Sequence, residues 1–257
     1  MKLFELEQKI ELVAPLHLAM DYDHVGLLMG DDNKEVNKVL VSLDLTEAVV
    51  DEAIEKNVDL IVTHHPLFFE PVYAITTRDA KGRMILKLAE HQIAYYAAHT
   101  NMDIAKGGIN DYLCNLLGIN HCVVLEPTAG TDGLGRIGTL AEEMSAEQFL
   151  HHVRETLHCP RVLYAGEMKN VWKVAVCSGS GTSLIERALE NGADALVTAD
   201  LKYSAAQQLE GEPLLVVDAG HFGTEVFFCE IIRRILDGFV SVEIAENNSD
   251  YIKNLTF

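Results

Sequence analysis

Lys38–His65 reads KVLVSLDLTEAVVDEAIEKNVDLIVTHH, and Lys173–Asp200 reads KVAVCSGSGTSLIERALENGADALVTAD. The two segments align without a gap and share the opening Lys-Val, the Ala-x-Glu at the helix end and the final Asp-x-x-Val-Thr. β-Branched runs at both ends favour strands, and the spacing of the apolar residues between them favours a helix. Thr46 and Thr182 are the expected N-caps of this helix in the two copies. A strand–helix–strand unit of this length predicts parallel strands with a right-handed crossover. The chain is therefore an imperfect internal duplication.

A further strand is expected after each copy, and each of these strands leads into a similar polar pattern. The first copy gives His99-Thr-Asn-Met-Asp103, and the second gives His221-Phe-Gly-Thr-Glu225. We predict an α/β fold in which two duplicated halves, 1–127 and 171–257, face each other around a metal cleft. The segment 128–170 between them is predicted to be a small α+β insertion, with a strand followed by a helix capped by Ser145.

Composition excludes several classes of function. The 257 residues carry 39 acids and 20 bases, a formal net charge of -19, which repels phosphate backbones and disfavours nucleic-acid binding. The five cysteines form no CxxC pair, which argues against a disulfide framework and a thiolate zinc site. No apolar stretch has the length of a membrane span, and acidic residues interrupt the N-terminus where a signal peptide would be apolar. A cytoplasmic protein is expected.

The strongest local feature is Thr63-His64-His65-Pro66, which follows a strand predicted to be buried. Ligands of open α/β sheets bind at the carboxyl ends of strands, although a His pair alone is often an ordinary loop feature. Here it coincides with two His-x-x-x-carboxylate patterns at equivalent strand ends. The combination predicts a metal site.

Imidazole and carboxylate ligands together suit Zn, Mn, Fe, Co or Ni better than Mg or Ca. The set is larger than one tetrahedral zinc with an open position requires. Two divalent ions about 3.5–4 Å apart would use all of it and would lower the pKa of water between them.

Three other segments remain open to two interpretations. The turn at Asp21–Leu27 either borders the site or is a surface cap. The Gly-rich turn Cys177–Thr182 either cradles a phosphate or is a tight turn, since the Lys of a P-loop is missing. Asp200-Leu-Lys202-Tyr203 either lines the cleft, with Lys202 attracting an anion, or is a solvated helix start.

With these segments in hand, the sequence resembles the Nif-three-like family, labelled as type 2 homologues of GTP cyclohydrolase I and as dinuclear metal centre hexameric proteins. The resemblance runs over nearly the whole chain and rests on an ordered series of motifs: Asp23-x-Val-Gly-Leu27, Thr63-His-His-Pro66, His99-Thr-x-x-Asp103, Cys177-x-Gly-x-Gly181, Thr198-x-Asp-x-Lys-Tyr203 and Gly220-His-x-x-x-Glu225.

The resemblance implies two metals, one held by His65 and Asp103 and the other by His64 and His221, with Glu225 as the bridge. It places His99 beside them, where this side chain is a candidate to move a proton. It also implies a toroidal homo-hexamer and hydrolytic opening of the guanine ring of GTP.

Three functions are compatible with such a site, because fold does not fix function. A metal-dependent hydrolase acting on GTP or a related nucleotide is the main hypothesis. A scaffold or regulatory module that binds metal without turnover is the first alternative. A phosphoesterase, which differs only in the bond attacked, is the second.

Overall fold

The computed structural model describes residues 1–253 and 255, and within them it confirms an α/β protein with two sheets. The chain forms two compact units. The first consists of Met1–Ala105 and Val226–Ser249, and the second of Lys106–Glu225 with the C-terminal segment that begins at Asp250. Lys106–Glu225 of the second unit thus separates the two segments of the first in the sequence, and the C-terminal segment follows both. The halves at 1–127 and 171–257 and their facing arrangement remain predictions drawn from the repeat.

The described residues form helices and strands in alternation along both copies of the repeat. The helices are α1 (Leu3–Glu11), α2 (Glu47–Glu55), α3 (Ala80–Glu90), α4 (Thr100–Ile104), α5 (Ile109–Leu116), α6 (Ala146–Thr156), α7 (Ile185–Glu190), α8 (Tyr203–Gln208), α9 (His221–Glu225) and α10 (Phe228–Leu236). The strands are β1 (Gly26–Met29), β2 (Lys38–Ser42), β3 (Leu60–Thr63), β4 (Ala94–Ala97), β5 (Asn120–Ala129), β6 (Asp132–Met144), β7 (Leu163–Gly166), β8 (Val171–Val176), β9 (Ala195–Thr198), β10 (Leu215–Asp218) and β11 (Ser241–Ile244).

The first unit contains a five-stranded sheet in the order β1-β4-β3-β2-β11. The first copy of the repeat supplies β2 and β3, which are parallel, and β4 is parallel to β3, as the duplication predicts. An antiparallel β1 covers the edge of β4, and β11 pairs in parallel with β2 on the other side. All four residues of β3 are buried, and the His64-His65 pair follows directly at the carboxyl end of this strand.

The second unit contains a six-stranded sheet in the order β5-β6-β8-β9-β10-β7. Its parallel strands β8, β9 and β10 are the second copy of the same arrangement. An antiparallel β7 covers the edge of β10, as β1 does for β4. Strands β6 and β7, which include residues of the predicted insertion 128–170, hydrogen-bond to β8 and β10, so this segment contributes to the sheet of the second unit.

The duplication extends to individual hydrogen bonds. The carboxylate of Asp59 accepts the amides of Asn37 and Lys38, and that of Asp194 accepts the amides of Trp172 and Lys173. Each Asp thus ties the start of one repeat strand to the start of the next. Equivalent backbone bonds run from the Asp59 amide to the Lys38 carbonyl and from the Asp194 amide to the Lys173 carbonyl.

The predicted helix caps are confirmed in two places and wrong in one. The hydroxyl of Thr46 accepts the amide of Val49 at the start of α2, and Ser145 forms a capping box with Gln148 on α6. Thr182 instead lies inside a short 3-10 turn before α7 and makes no cap. Within 1–253 and 255, no helix is long and apolar enough to cross a membrane.

Candidate metal centre

The His64-His65 pair lies in a tight turn at the end of β3 that departs from the pleat of a strand. The amides of both histidines donate to the carbonyl of Leu43, at 3.2 Å and 3.0 Å. The hydroxyls of Thr63 and Tyr95 both donate to the carbonyl of His65, at 2.8 Å and 3.0 Å. Because the backbone leaves the strand here, consecutive side chains no longer point to opposite faces.

This turn brings three imidazoles and a carboxylate together within the first unit. The ring centroids of His64 and His65 are 5.0 Å apart, and the ring of His99 lies 5.1 Å from His64 and 5.6 Å from His65. Ligand atoms of the three rings lie within 4.8 Å of one another. Nε2 of His64 lies 3.7 Å from Oδ1 of Asp103, whose side chain is buried on α4.

The Nδ1 atom of each of these rings is held by an oxygen. The three bonds are His64 to the carbonyl of Ala98 (2.8 Å), His65 to Asp44 (2.8 Å) and His99 to Asp23 (3.0 Å). A carbonyl oxygen accepts only, so Nδ1 of His64 must carry its proton, and a carboxylate imposes the same tautomer on the other two rings. In the neutral rings Nε2 is therefore the lone-pair nitrogen.

Asp23 is the most strongly held of these acceptors. Its side chain is fully buried and also accepts the amide of Thr100 at 3.0 Å and its hydroxyl at 2.5 Å. Burial acts to raise the pKa of Asp23, but the hydrogen bonds from His99 and Thr100 outweigh it and keep the pKa far below its usual range. Of the two interpretations of this turn, the structure supports the one in which Asp23 supports the site.

The second unit presents a His–carboxylate pair one helical turn apart on α9. Nε2 of His221 lies 3.0 Å from Oε2 of Glu225, and Nδ1 lies 2.8 Å from Oδ2 of Asp200. The Glu225 hydrogen bond is the largest cause that raises the pKa of His221 to about 9, and Asp200 adds to it. Asp200 has a left-handed backbone, φ 55°, a conformation that an Asp tolerates better than most residues.

The carboxylate of Glu225 occupies the space that a side chain at position 179 would fill, because that residue is a glycine. A Cβ at this position would overlap Oε1 of Glu225 and would lie 3.0 Å from its Cδ and 3.2 Å from Nε2 of His221. Its φ of +58° is also in the left-handed region. The backbone of the Gly-rich turn therefore packs directly against the carboxylate of Glu225, which a larger residue at position 179 would prevent.

The amides of that turn are already donated to side chains. Ser178 donates to Asn110, Gly179 to Thr224 and Gly181 to Thr198, at 2.9–3.0 Å. This supports the tight-turn interpretation of Cys177–Thr182 over the phosphate cradle, because these three donors are engaged within the second unit.

The predicted residues follow the carboxyl ends of three strands: His64 and His65 come directly after β3, His99 and Asp103 lie at the start of α4 and on it after β4, and His221 and Glu225 lie on α9 after β10. The first unit brings together His64, His65, His99 and Asp103, and the second brings together His221 and Glu225. The sequence placed Asp23 and Asp200 in segments that could border the site without assigning either to a ring, and Asp44 was missed. Asp44 lies two residues beyond β2, and Asp200 aligns in the repeat with His65.

The donor set fits a divalent transition metal. Neutral imidazoles with a fixed Nδ1 proton and buried carboxylates are the ligands that such ions take, and carboxylates behind the histidines raise their basicity. A metal would have to displace the proton of His221. Buried His, Asp and Glu groups that could hold a metal ion are therefore present in the described part of the chain.

Comparison with known proteins gives one consistent family. The model of the Duf34/NIF3 (NGG1p interacting factor 3) family matches residues 1–250. A Clostridium perfringens protein named GTP cyclohydrolase 1 type 2 homolog is 35% identical over 257 residues, covering 97% of this chain and 98% of that protein. The crystal structure of a Bacillus cereus protein related to NIF3 has a TM-score of 0.92, with 29% identity and 99% of both chains covered. Reduced HcgD from Methanocaldococcus jannaschii has a TM-score of 0.81, with 34% identity over 95% of this chain and 96% of that one.

Proposed function

Because the chain belongs to the Duf34/NIF3 family, we propose that it binds two divalent metal ions and hydrolyses GTP or a related nucleotide. The observation that carries this proposal is that each of the four histidines has an oxygen acceptor on Nδ1, which leaves Nε2 as the nitrogen that would bind a metal.

The proposed ligands are His64, His65 and Asp103 from the first unit and His221 and Glu225 from the second. Three imidazoles and two carboxylates match Zn, Mn, Fe, Co or Ni. Two bound ions would supply a Lewis acid for a substrate oxygen and a lower pKa for water. The low exposure of Asp103 and Glu225, 7% and 4%, favours a cationic partner over bulk water.

His99 is proposed to move the proton. Asp23 holds Nδ1 of this ring, so Nε2 is the atom that accepts a proton beside His64 and His65. The side chain of His99 is 17% exposed, whereas that of His64 is fully buried, so the ring of His99 can exchange a proton with solvent and that of His64 cannot.

A nucleotide substrate is supported by two features. Relatives of this chain carry the name GTP cyclohydrolase 1 type 2 homolog, which describes those proteins. In this chain Lys202 and Tyr203 are exposed and follow Asp200, which holds His221. No ion pair of Lys202 is found within the described ranges, so this cation is available for a phosphate and Tyr203 for stacking on a base.

The decisive assay follows GTP with metal-loaded protein by liquid chromatography and mass spectrometry. Ring opening adds the mass of one water, whereas hydrolysis at phosphorus releases phosphate. His99→Gln is expected to abolish product while retaining metal, and Glu225→Ala to lose both. Glu230→Gln, at a partly exposed position on α10 that pairs with Arg233, is the matched control. Phosphate release alone would identify a phosphoesterase. No turnover of GTP or of a nucleotide panel above Glu225→Ala would identify a metal-dependent scaffold.

A toroidal homo-hexamer is proposed from the family resemblance. Light scattering would then give a mass six times the 28.4 kDa of one chain, and a monomer mass would refute it. A cytoplasmic location remains a prediction from the sequence.

A further inference from the structure

Asn248 lies in the turn after β11 and hydrogen-bonds to the end of β2, which precedes it by 205 residues. Its Oδ1 accepts the amide of Leu43 at 3.0 Å and the hydroxyl of Ser42 at 3.3 Å. A backbone amide only donates, so the carboxamide must present its oxygen to Leu43. The other end of the carboxamide is held as well, because Nδ2 donates to the sulfur of Cys229 at 3.5 Å.

This side chain takes the place of a backbone bond in the first sheet. At the end of the parallel pair of β11 and β2, the amide of Ala245 donates to the carbonyl of Val41 at 2.8 Å. In a regular parallel ladder the next bond would join the Leu43 amide to the carbonyl of Ala245. That carbonyl instead accepts the amide of Asn248 at 3.3 Å, as the chain turns away from β2. The buried Leu43 amide is therefore satisfied by the Asn248 side chain and not by a strand.

Leu43, which Asn248 holds, also binds both residues of the His pair. Its carbonyl accepts the amides of His64 and His65, at 3.2 Å and 3.0 Å. The next residue, Asp44, accepts from Nδ1 of His65 at 2.8 Å. Only two soft dihedral angles separate the amide of Leu43 from its carbonyl, so a bond that fixes the amide also limits how far the carbonyl can turn. Three hydrogen bonds of the histidines thus depend on the Leu43–Asp44 turn.

The neighbouring Asn247 provides a contrast within the same segment. Its amide and its side chain donate to the carboxylate of Glu52 on α2, at 3.1 Å and 2.9 Å. Among the residues that the structure describes, no hydrogen bond joins Asn247 to Leu43 or Asp44. Both asparagines therefore tie the end of β11 to the rest of the first unit, but only Asn248 does so at the turn that holds the His pair.

We propose that Asn248 is a positioning residue of the candidate metal centre. It acts through the Leu43–Asp44 turn and keeps the Nε2 atoms of His64 and His65 in the position needed to bind a metal. Without the Asn248 oxygen, the Leu43 amide would lose its acceptor, and the turn could move together with both histidines. This role rests on the proposed function, since it matters only where His64 and His65 bind a metal.

A first measurement needs no metal. Hydrogen exchange of metal-free protein, followed by mass spectrometry of peptides that contain His64 and His65, reports on the bonds from their amides to Leu43. These amides should exchange about 2–10-fold faster in Asn248→Ala, the change expected when one hydrogen bond is lost. Asn248→Asp should restore slow exchange, because a carboxylate still accepts from Leu43 and Ser42. Asn247→Ala, the matched control, should exchange like wild type in these peptides.

A second measurement loads each variant with metal. Zinc affinity in chelator competition should fall about 10-fold or more in Asn248→Ala, and the visible spectrum of the Co(II)-loaded protein, which reports ligand geometry, should change. Asn248→Asp and Asn247→Ala should keep the affinity and the spectrum of wild type. Both alanine variants lose hydrogen bonds of the same segment, so both should unfold at lower urea concentrations, while only Asn248→Ala loses metal.

A zinc affinity and a Co(II) spectrum in Asn248→Ala that match wild type would overturn the proposal, as would an equal loss of affinity in Asn247→Ala. Unchanged exchange of the His64 and His65 amides in Asn248→Ala would also overturn it, whether or not the protein binds metal. Faster exchange in this variant, combined with no metal uptake by wild type, would refute the proposed function and the role of Asn248 with it. Asn248→Ser, whose hydroxyl is too short to reach Leu43, replaces the alanine variant if circular dichroism shows that variant to be unfolded.

Discussion

Gly179→Ala tests how closely the backbone of the second unit must approach the carboxylate of Glu225. The new Cβ would overlap Oε1 and would lie 3.0 Å from Cδ, whereas apolar contacts settle near 3.5–4.0 Å. The carboxylate must therefore move by about 1 Å, which exceeds the roughly 0.2 Å tolerance of a metal–ligand distance. A loss of metal affinity of about 10–100-fold is expected.

Gly192→Ala separates this effect from backbone strain. Gly192 has a φ of +64°, close to the +58° of Gly179, but a Cβ there would meet nothing within 4 Å. Both variants should lose about 1 kcal/mol of unfolding free energy in urea, because alanine is strained in the left-handed region. Only Gly179→Ala should also lose metal, measured by titration against a fluorescent chelator. Equal metal affinity in the two alanine variants would refute the reasoning.

Four further results are expected. Asp200→Asn keeps a residue that tolerates the left-handed backbone but removes the carboxylate that accepts from His221. Metal affinity should therefore fall about 10-fold or more, and an unchanged affinity in chelator competition would contradict this. Asp23→Asn should leave metal content intact and lower turnover about 100-fold, because the tautomer of His99 is no longer fixed, and full turnover would rule out that role. Since the pKa of His221 is about 9 without metal, metal affinity should rise with pH up to that value, and a flat profile would contradict proton competition. The pKa of the Glu52 carboxylate is lowered to about 2, so its contribution to the unfolding free energy is complete above about pH 4.5 and is lost as the pH falls through 2. Glu52→Gln should therefore lower the unfolding free energy by about 1–3 kcal/mol at pH 7. It should also make the urea unfolding free energy less dependent on pH between these two values.

Local signals made most of the first sheet predictable. The β-branched runs of the repeat, the Thr46 cap and the buried strand before His64 each depend on neighbours in sequence. The same holds for the spacing of His221 and Glu225, which places them one helical turn apart. Such patterns are readable because propensity and burial act over a few residues.

Two other features depend on distant pairing and could not be read in this way. β11 joins β2 across about two hundred residues, and Ser241–Ile244 carries no mark of its partner strand. Asp44 accepts from His65, and Asp23 accepts from His99. These pairings depend on side-chain conformations that are set only once the sheet has formed. The sequence shows that a carboxylate is present, while the fold decides which ring it holds.

The most direct test of the central claim is metal content per chain, measured by plasma mass spectrometry on protein purified without chelator and then reconstituted with Zn, Mn or Fe. The dinuclear proposal predicts about two ions per chain in wild type and in the Glu230→Gln control, and a marked loss in Glu225→Ala. Less than about half an ion per chain in wild type, unchanged in Glu225→Ala and not raised by any of the three metals, would contradict it.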